Sequence, residues 1–331
     1  MRLHAIGAVL ALYACGESLP SDVVPVDAGI DQSAPADAAA DATDAADDVV
    51  DAGPGAVEEI AAVRPRAIAA SATLLAWLQG NEVRSPAVDG GLVMTIDAGA
   101  TGFVAVDEDI VIANQQSGPR SCDLASAPCA DPGAPFYGTG SRGPLASVAH
   151  QLFVADRAPP YRLEYCDLNA GCGASAIVVA YMPAVATREI LTSSFVVLAF
   201  EDKTVRAWLR SSRDVDAGPT LTTVNDLTGL TADGSTLYWS DGAAGAIARC
   251  SLSSCAPESV LTQRMYPRAV SVVGSSLYWI ETDAGAIFRC TLPACSDPTV
   301  LGQVKQPIDM AVGDRVYVVS DSDQKIYAAA R

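Results

Sequence analysis

The sequence predicts an all-β chain, a propeller of seven four-stranded blades closed by an N-terminal strand, with six blades as the alternative. Three observations carry this expectation. First, a unit recurs without gaps: Leu237-Tyr238-Trp239-Ser240-Asp241 returns 40 residues later as Leu277-Tyr278-Trp279-Ile280-Glu281, and Gly245 to Cys250 returns as Gly285 to Cys290. Second, fainter copies continue the pattern, with units starting at residues 74, 110, 152, 196, 237, 277 and 316. Third, each unit divides into short β-branched or aromatic runs separated by Gly, Asp and Ser turns.

Each unit follows one plan. An entry run comes first, as in Pro65-Arg66-Ala67-Ile68, Pro267-Arg268-Ala269-Val270 and Pro307-Ile308-Asp309-Met310. The Tyr-Trp run is second. A third run ends at Cys or its equivalent, and a fourth follows, such as Ser259-Val260-Leu261. Four strands in about 40 to 45 residues is the size of one blade. Seven units over residues 56–331 allow about 39 residues each, whereas six would need about 46. The last unit stops at Arg331 without a fourth run, and Val57 to Ala62 precede the first unit. That segment is expected to supply the missing outer strand and so remove an exposed edge. A short helix is the competing reading, since Glu58, Glu59 and the alanines allow it.

The N-terminus reads as an address. Residues 1–14 have the charged Arg2 followed by an apolar stretch from Ala5 to Leu12, the pattern of a signal peptide. Fourteen residues are too few to span a bilayer, which takes about 20 apolar residues. Residues 15–55 form a tether of Asp, Ala, Pro and Val that cannot bury a core and repels itself. Twelve of the 39 acidic residues precede Arg64, and Arg2 is the only Lys or Arg before it. Most of the net charge of −18 therefore belongs to the tether. That charge excludes the basic footprint of a nucleic-acid binder.

Two resemblances attach to particular residues. Leu12-Tyr13-Ala14-Cys15 resembles the lipobox of bacterial lipoproteins, with a Tyr where a small residue is usual. The resemblance implies acylation of Cys15, cleavage before it and a membrane anchor, and Gly16 in place of Asp favours the outer membrane. Tyr238-Trp239-Ser240-Asp241 resembles the YWTD repeat of low-density-lipoprotein-receptor-type propellers. In that family Tyr and Trp pack the blades, and the domain is a protein-binding platform with six blades. Tyr278 and Trp279 keep the pattern, Glu281 replaces its Asp, and Val318 replaces its Trp.

With Cys15 assigned to lipid, eight of the nine cysteines remain, in four close pairs: Cys122 with Cys129, Cys166 with Cys172, Cys250 with Cys255, and Cys290 with Cys295. Each pair falls at the same place in its unit, so four local disulfides are expected, pinning surface turns between third and fourth strands. Zinc held by Cys250, Cys255, Cys290 and Cys295 is the competing reading. An oxidising extracytoplasmic setting and the separation of neighbouring blades argue against it.

Little in the sequence points to catalysis. His150 is the only histidine after the signal peptide and falls in a predicted turn. No nucleophile elbow, phosphate loop or dinucleotide fingerprint occurs. Virginiamycin B lyases are also seven-bladed, but their chemistry depends on histidine and a metal. Gluconolactonase-type propellers need a ring of metal-binding Glu, Asn and Asp, for which Asn225, Asp226 and Asp309 are candidates without an evident ring. Trp77, Trp208, Trp239 and Trp279 occupy related places; exposed, they would form a sugar- or peptide-binding stripe, but Trp239 and Trp279 are expected to be buried between blades. Arg249 and Arg289 are expected to pair with Asp241 or Glu281.

The expected protein is thus an outer-membrane, cell-surface or periplasmic lipoprotein, monomeric, with no cofactor, metal or catalytic residue assigned. It would bind a protein or glycan without catalysis. A metal-dependent lactonase or lyase and a structural envelope component are the alternatives. Fold cannot choose among these.

Overall fold

The computed structural model describes residues 55–63, 65–88, 91–96, 103–114, 119–125, 142–169, 177–211 and 218–331. All fall in the compact unit Asp51–Arg331. The signal peptide, Cys15, the tether up to residue 54, Cys129 and Cys172 lie outside the described residues.

Among the described residues the strands form seven antiparallel sheets, six of four strands and one of three. The first strands are Ala67–Ala70, Val104–Asp107, Arg142–Val148, Ala186–Leu191, Leu227–Asp233, Pro267–Val273 and Pro307–Val312, opening blades 1 to 7. Each lies beside the next, and Pro307–Val312 returns against Ala67–Ala70. The fold is a seven-bladed β-propeller. Blade 2 is the one with three described strands. The faint copies around Ile110 and Val196 are the second strands of blades 2 and 4.

The second strands explain the apolar runs of the repeat. Leu237 to Ser240, Ser276–Glu281 after its first residue, and all of Val316–Ser320 are buried. A strand covered on both faces reads as continuous rather than alternating hydrophobicity. Successive side chains still point opposite ways. Tyr238 therefore packs forward on Leu277 and Trp279 of blade 6, while Trp239 packs back on Val197 and Ala199 of blade 4. Likewise Tyr278 meets Val316 and Val318 of blade 7. Trp77 of blade 1 meets Tyr317, Ile326 and Ala328 of blade 7, so the same contact crosses the ring's seam.

Register refines the repeat. Ile68 lies opposite Trp77 just as Leu230 lies opposite Trp239, so Leu75, not Leu74, is the counterpart of Leu237. Trp208 departs from the other tryptophans. It is on the third strand of its blade, Thr204–Leu209, opposite Val196. All four tryptophans are buried, with exposures of 6% or less, which removes the exposed stripe.

Turns between first and second strands are tight. Gly234 and Gly274, with φ of 55° and 60°, each open a two-residue connection. In blade 3 the same connection is Ala149-His150, and both residues have positive φ.

The segment before blade 1 is a strand, not a helix. Glu58–Ala61 pairs antiparallel with Lys325–Ala329 and completes blade 7. Arg315 Nη1 donates to Glu58 Oε2 at 2.6 Å, and Lys325 Nζ to Glu59 Oε2 at 2.6 Å.

Cys250 is bonded to Cys255 and Cys290 to Cys295, with Cα–Cα distances of 4.9 and 5.0 Å. Each loop follows the third strand of its blade. Cys250, Cys290 and Cys295 are buried within the hydrophobic clusters of blades 5 and 6. These bonds therefore belong to the blade cores as well as to their surface turns. Cys122 and Cys166 are also disulfide-bonded, at the ends of the third strands of blades 2 and 3.

Candidate functional site at the mouth of the central channel

A cavity of about 640 Å³ opens where the chain enters the first strands. Blade 1 contributes Arg66 and Ile68, blade 2 Phe103 and Val104, and blade 3 Pro144 and Leu145. Blade 4 adds Arg188 and Glu189, and blade 7 adds Asp309. The connection between blades 4 and 5 contributes Asn225 and Asp226, and Lys203 comes from a turn in blade 4. The wall is thus half apolar, with three cations and three carboxyl groups at fixed places.

The geometry follows from the strands. Arg188 and Glu189 are consecutive and so face opposite neighbours. Arg188 Nη2 donates to the Thr228 carbonyl of blade 5 at 3.1 Å. Burial pulls its guanidinium below the ordinary value, Asp309 opposes this, and Arg268 adds to it. Asp309 is raised by burial and eased by Arg188, and its Oδ1 accepts the Met310 amide at 2.9 Å. Arg188, Arg268 and Asp309 therefore act as one electrostatic group. Asp226 holds the Tyr266 hydroxyl, which raises that phenol above its ordinary value.

Glu189 is different. It is the residue opposite Leu198 on the second strand. The residues at that place in other blades are Val104, opposite Ala113, Leu145, opposite Val154, Leu230, opposite Trp239, and Met310, opposite Val318. Ile68 and Val270 fill it in blades 1 and 6. Six blades have an apolar side chain there and blade 4 has a carboxyl. Glu189 is 9% exposed, and neither oxygen has a hydrogen-bond partner among the described residues. Burial pushes its carboxyl well above the usual range, the Ala155 backbone offsetting part of the rise without completing a hydrogen bond.

The structure brings Asn225, Asp226 and Asp309 into this one cavity. Among the described residues, however, no three His, Cys, Asp or Glu side chains gather as metal ligands. His150 is in the turn between the first and second strands of blade 3, and its backbone amide donates to Asp107 Oδ2 at 2.7 Å.

Two expected pairings are corrected. Arg249 pairs with Glu258 on the neighbouring outer strand at 2.9 Å and donates to the Pro293 carbonyl of blade 6 at 3.2 Å. Asp241 instead accepts the Ala244 amide at 3.0 Å in its own turn. Glu281 takes Arg264, the Met265 amide at 3.1 Å and Trp279 Nε1 at 3.0 Å. Arg264 also lies over the stacked rings of Trp279 and Phe288. Blade 5 has Val224 at the place of Arg264, so Asp241 has no such cation to hold.

No protein-family model matches the sequence, and no curated protein matches it. Solved structures do. Virginiamycin B lyase from Staphylococcus aureus aligns with a TM-score of 0.60 at 13% identity, over 83% of this chain and 99% of that one. A streptogramin B lyase aligns at 0.61 and 12% identity, over 83% and 97%. A nidogen/laminin complex aligns at 0.50 and 13% identity, over 66% and 88%. At such identities the likeness shows the fold.

Proposed function

We propose that the chain is a lipid-anchored, extracytoplasmic binding platform that holds a protein or glycan ligand at the mouth of its channel without catalysis. The observation that carries this reading is the cavity. Its volume of about 640 Å³ falls in the range of about 300–1,000 Å³ usual for ligand sites. Its wall combines apolar surface with a few fixed ionic groups, the composition that gives a site both affinity and orientation.

Sequence features support the rest. Leu12 to Cys15 read as a lipobox, residues 1–14 as its signal peptide, and the acidic tether would hold the ring away from an outer membrane. The YWTD-like residues Tyr238, Trp239 and Asp241 favour kinship with platform propellers. The experiment has two parts. Labelled palmitate should enter the full chain and not its Cys15→Ser variant. Capture of envelope proteins or arrayed glycans should fall in an Arg66→Glu/Lys203→Glu variant, and capture that ignores those charges would sink the reading.

The lactonase- or lyase-type alternative has one observation in its favour, the convergence of Asn225, Asp226 and Asp309 on the cavity. Against it, Asp309 faces Arg188, whose fixed cation competes with a metal for that carboxylate. Calcium or manganese binding that is lost in Asp226→Asn would revive it.

A further inference from the structure

We propose that Glu189 is a ligand-binding group, and that the channel cavity seats a primary ammonium carried on an apolar group, the chemistry of a peptide's free amino terminus. The inference rests on the binding-platform reading and narrows its ligand.

Seven equivalent places around the ring hold six apolar side chains and one carboxyl. The repeat needs no acid there, as Ile68, Leu145, Leu230 and Met310 demonstrate. A buried polar group without partners costs free energy, and native structures rarely keep one without a reason. Glu189 sits 9% exposed, lines the cavity, and has both carboxyl oxygens buried without a hydrogen-bond partner among the described residues. An incoming group is therefore the natural partner.

The chemistry of that group follows from the surroundings. Burial favours the protonated form of Glu189, and an ammonium is the partner that reverses this, bringing three donors and a compact charge to the acceptor-only carboxylate. A divalent cation needs several oxygen ligands, and no three acidic or otherwise metal-binding groups gather among the described residues. The nearest cation in sequence, Arg188, turns away to Thr228 and Asp309, so it does not occupy the place beside Glu189. Phe103, Leu145, Ile190 and Phe200 supply apolar wall for the ligand's side chain. Lys203 and Arg66 line the same cavity and suit the carboxylate end of a short peptide.

The test is calorimetric titration of the full chain with Phe-Gly-Gly and with its N-acetylated form. The free amine should bind at least tenfold more tightly than the acetylated peptide. Glu189→Gln should weaken it at least tenfold. Glu189→Leu, which restores the residue type of the other six blades and so keeps the fold, should do the same. Equal binding of both peptides, unchanged affinity in Glu189→Leu, or no heat from the free amine each overturns the ammonium seat. If the peptide binds wild type and both variants alike, the seat fails and the platform stands. Loss of all envelope-protein and glycan capture would fail the platform itself.

Discussion

Asp107 and His150 join two blades through the main chain. The Asp107 carboxylate at the end of blade 2's first strand accepts the His150 amide at 2.7 Å and the Ser147 hydroxyl at 2.7 Å. The imidazole takes no part in either bond. Asp107 is 6% exposed, so its removal leaves donors of blade 3 without a partner in a dry place. Asp107→Ala is expected to cost about 1–3 kcal/mol in urea unfolding. His150→Gln should leave stability nearly unchanged, and a large loss there would give the imidazole a role the geometry does not.

The same turn stores strain. Ala149 has a φ of 50°, a conformation that costs a residue with a Cβ about 1–2 kcal/mol. Equivalent turns in blades 5 and 6 use Gly234 and Gly274. Ala149→Gly should therefore stabilise the ring by about 1 kcal/mol, seen as a higher urea midpoint with an unchanged slope.

Glu281 is 1% exposed and holds Arg264, Trp279 and a backbone amide together. Glu281→Ala leaves a cation uncompensated and should cost about 3–5 kcal/mol. Asp241, at the equivalent place, holds only its own turn, and Asp241→Ala should cost about 1 kcal/mol or less. Thermal denaturation of the two variants side by side measures the difference.

Reduction should weaken the ring moderately. Cys250–Cys255 and Cys290–Cys295 each close a short loop, for which chain entropy alone gives about 2 kcal/mol per bond. Replacing both residues of either pair by Ala should lower stability by that amount while the propeller persists. A variant that unfolds outright would make the bonds essential rather than supporting.

Stability should also depend on pH through Glu189. Its folded carboxyl holds a proton more tightly than its unfolded value of 4.5, so the folded state binds more protons over that interval. Stability then falls as pH rises from about 4.5 towards the folded value, and stays at the lower level above it. Glu189→Leu removes the titration, so the variant's advantage over wild type should grow with pH across this window. The ionic groups sharing the cavity are Arg66, Arg188, Lys203, Asp226 and Asp309, and they are identical in both proteins. A constant difference from pH 4 to pH 8 would contradict the burial of this acid.

The blades were legible because each repeats one plan. Tyr238 and Trp239 are read from Tyr278 and Trp279, and the closing strand from a fourth run missing at Arg331. Trp208 does not belong with the other three tryptophans, because its run Val205 to Trp208 is the third of its unit, opposite Val196. Glu281 looked like a departure from a motif, since its partner Arg264 lies in a connection whose path only the fold defines. Glu189 stood out least. Beside Arg188 it resembles an exposed ion pair, and only the strand register places it with Leu230 and Met310. Comparing entry runs across all blades, Ala186 to Leu191 included, is the signal that would have found it.

The strand made first is placed last. Glu58–Ala61 finds its partner only in Lys325–Ala329, and the contacts that fasten the two join residues more than 250 positions apart. A chain emerging from its N-terminus therefore carries this strand unpaired through nearly the whole of synthesis, while blades 1 to 6 can form from neighbouring sequence. Ring closure is the longest loop to shut and must await Lys325–Ala329. A chain that lacked Lys325–Ala329 would be left as an open arc with two raw edges, although almost every blade had been made.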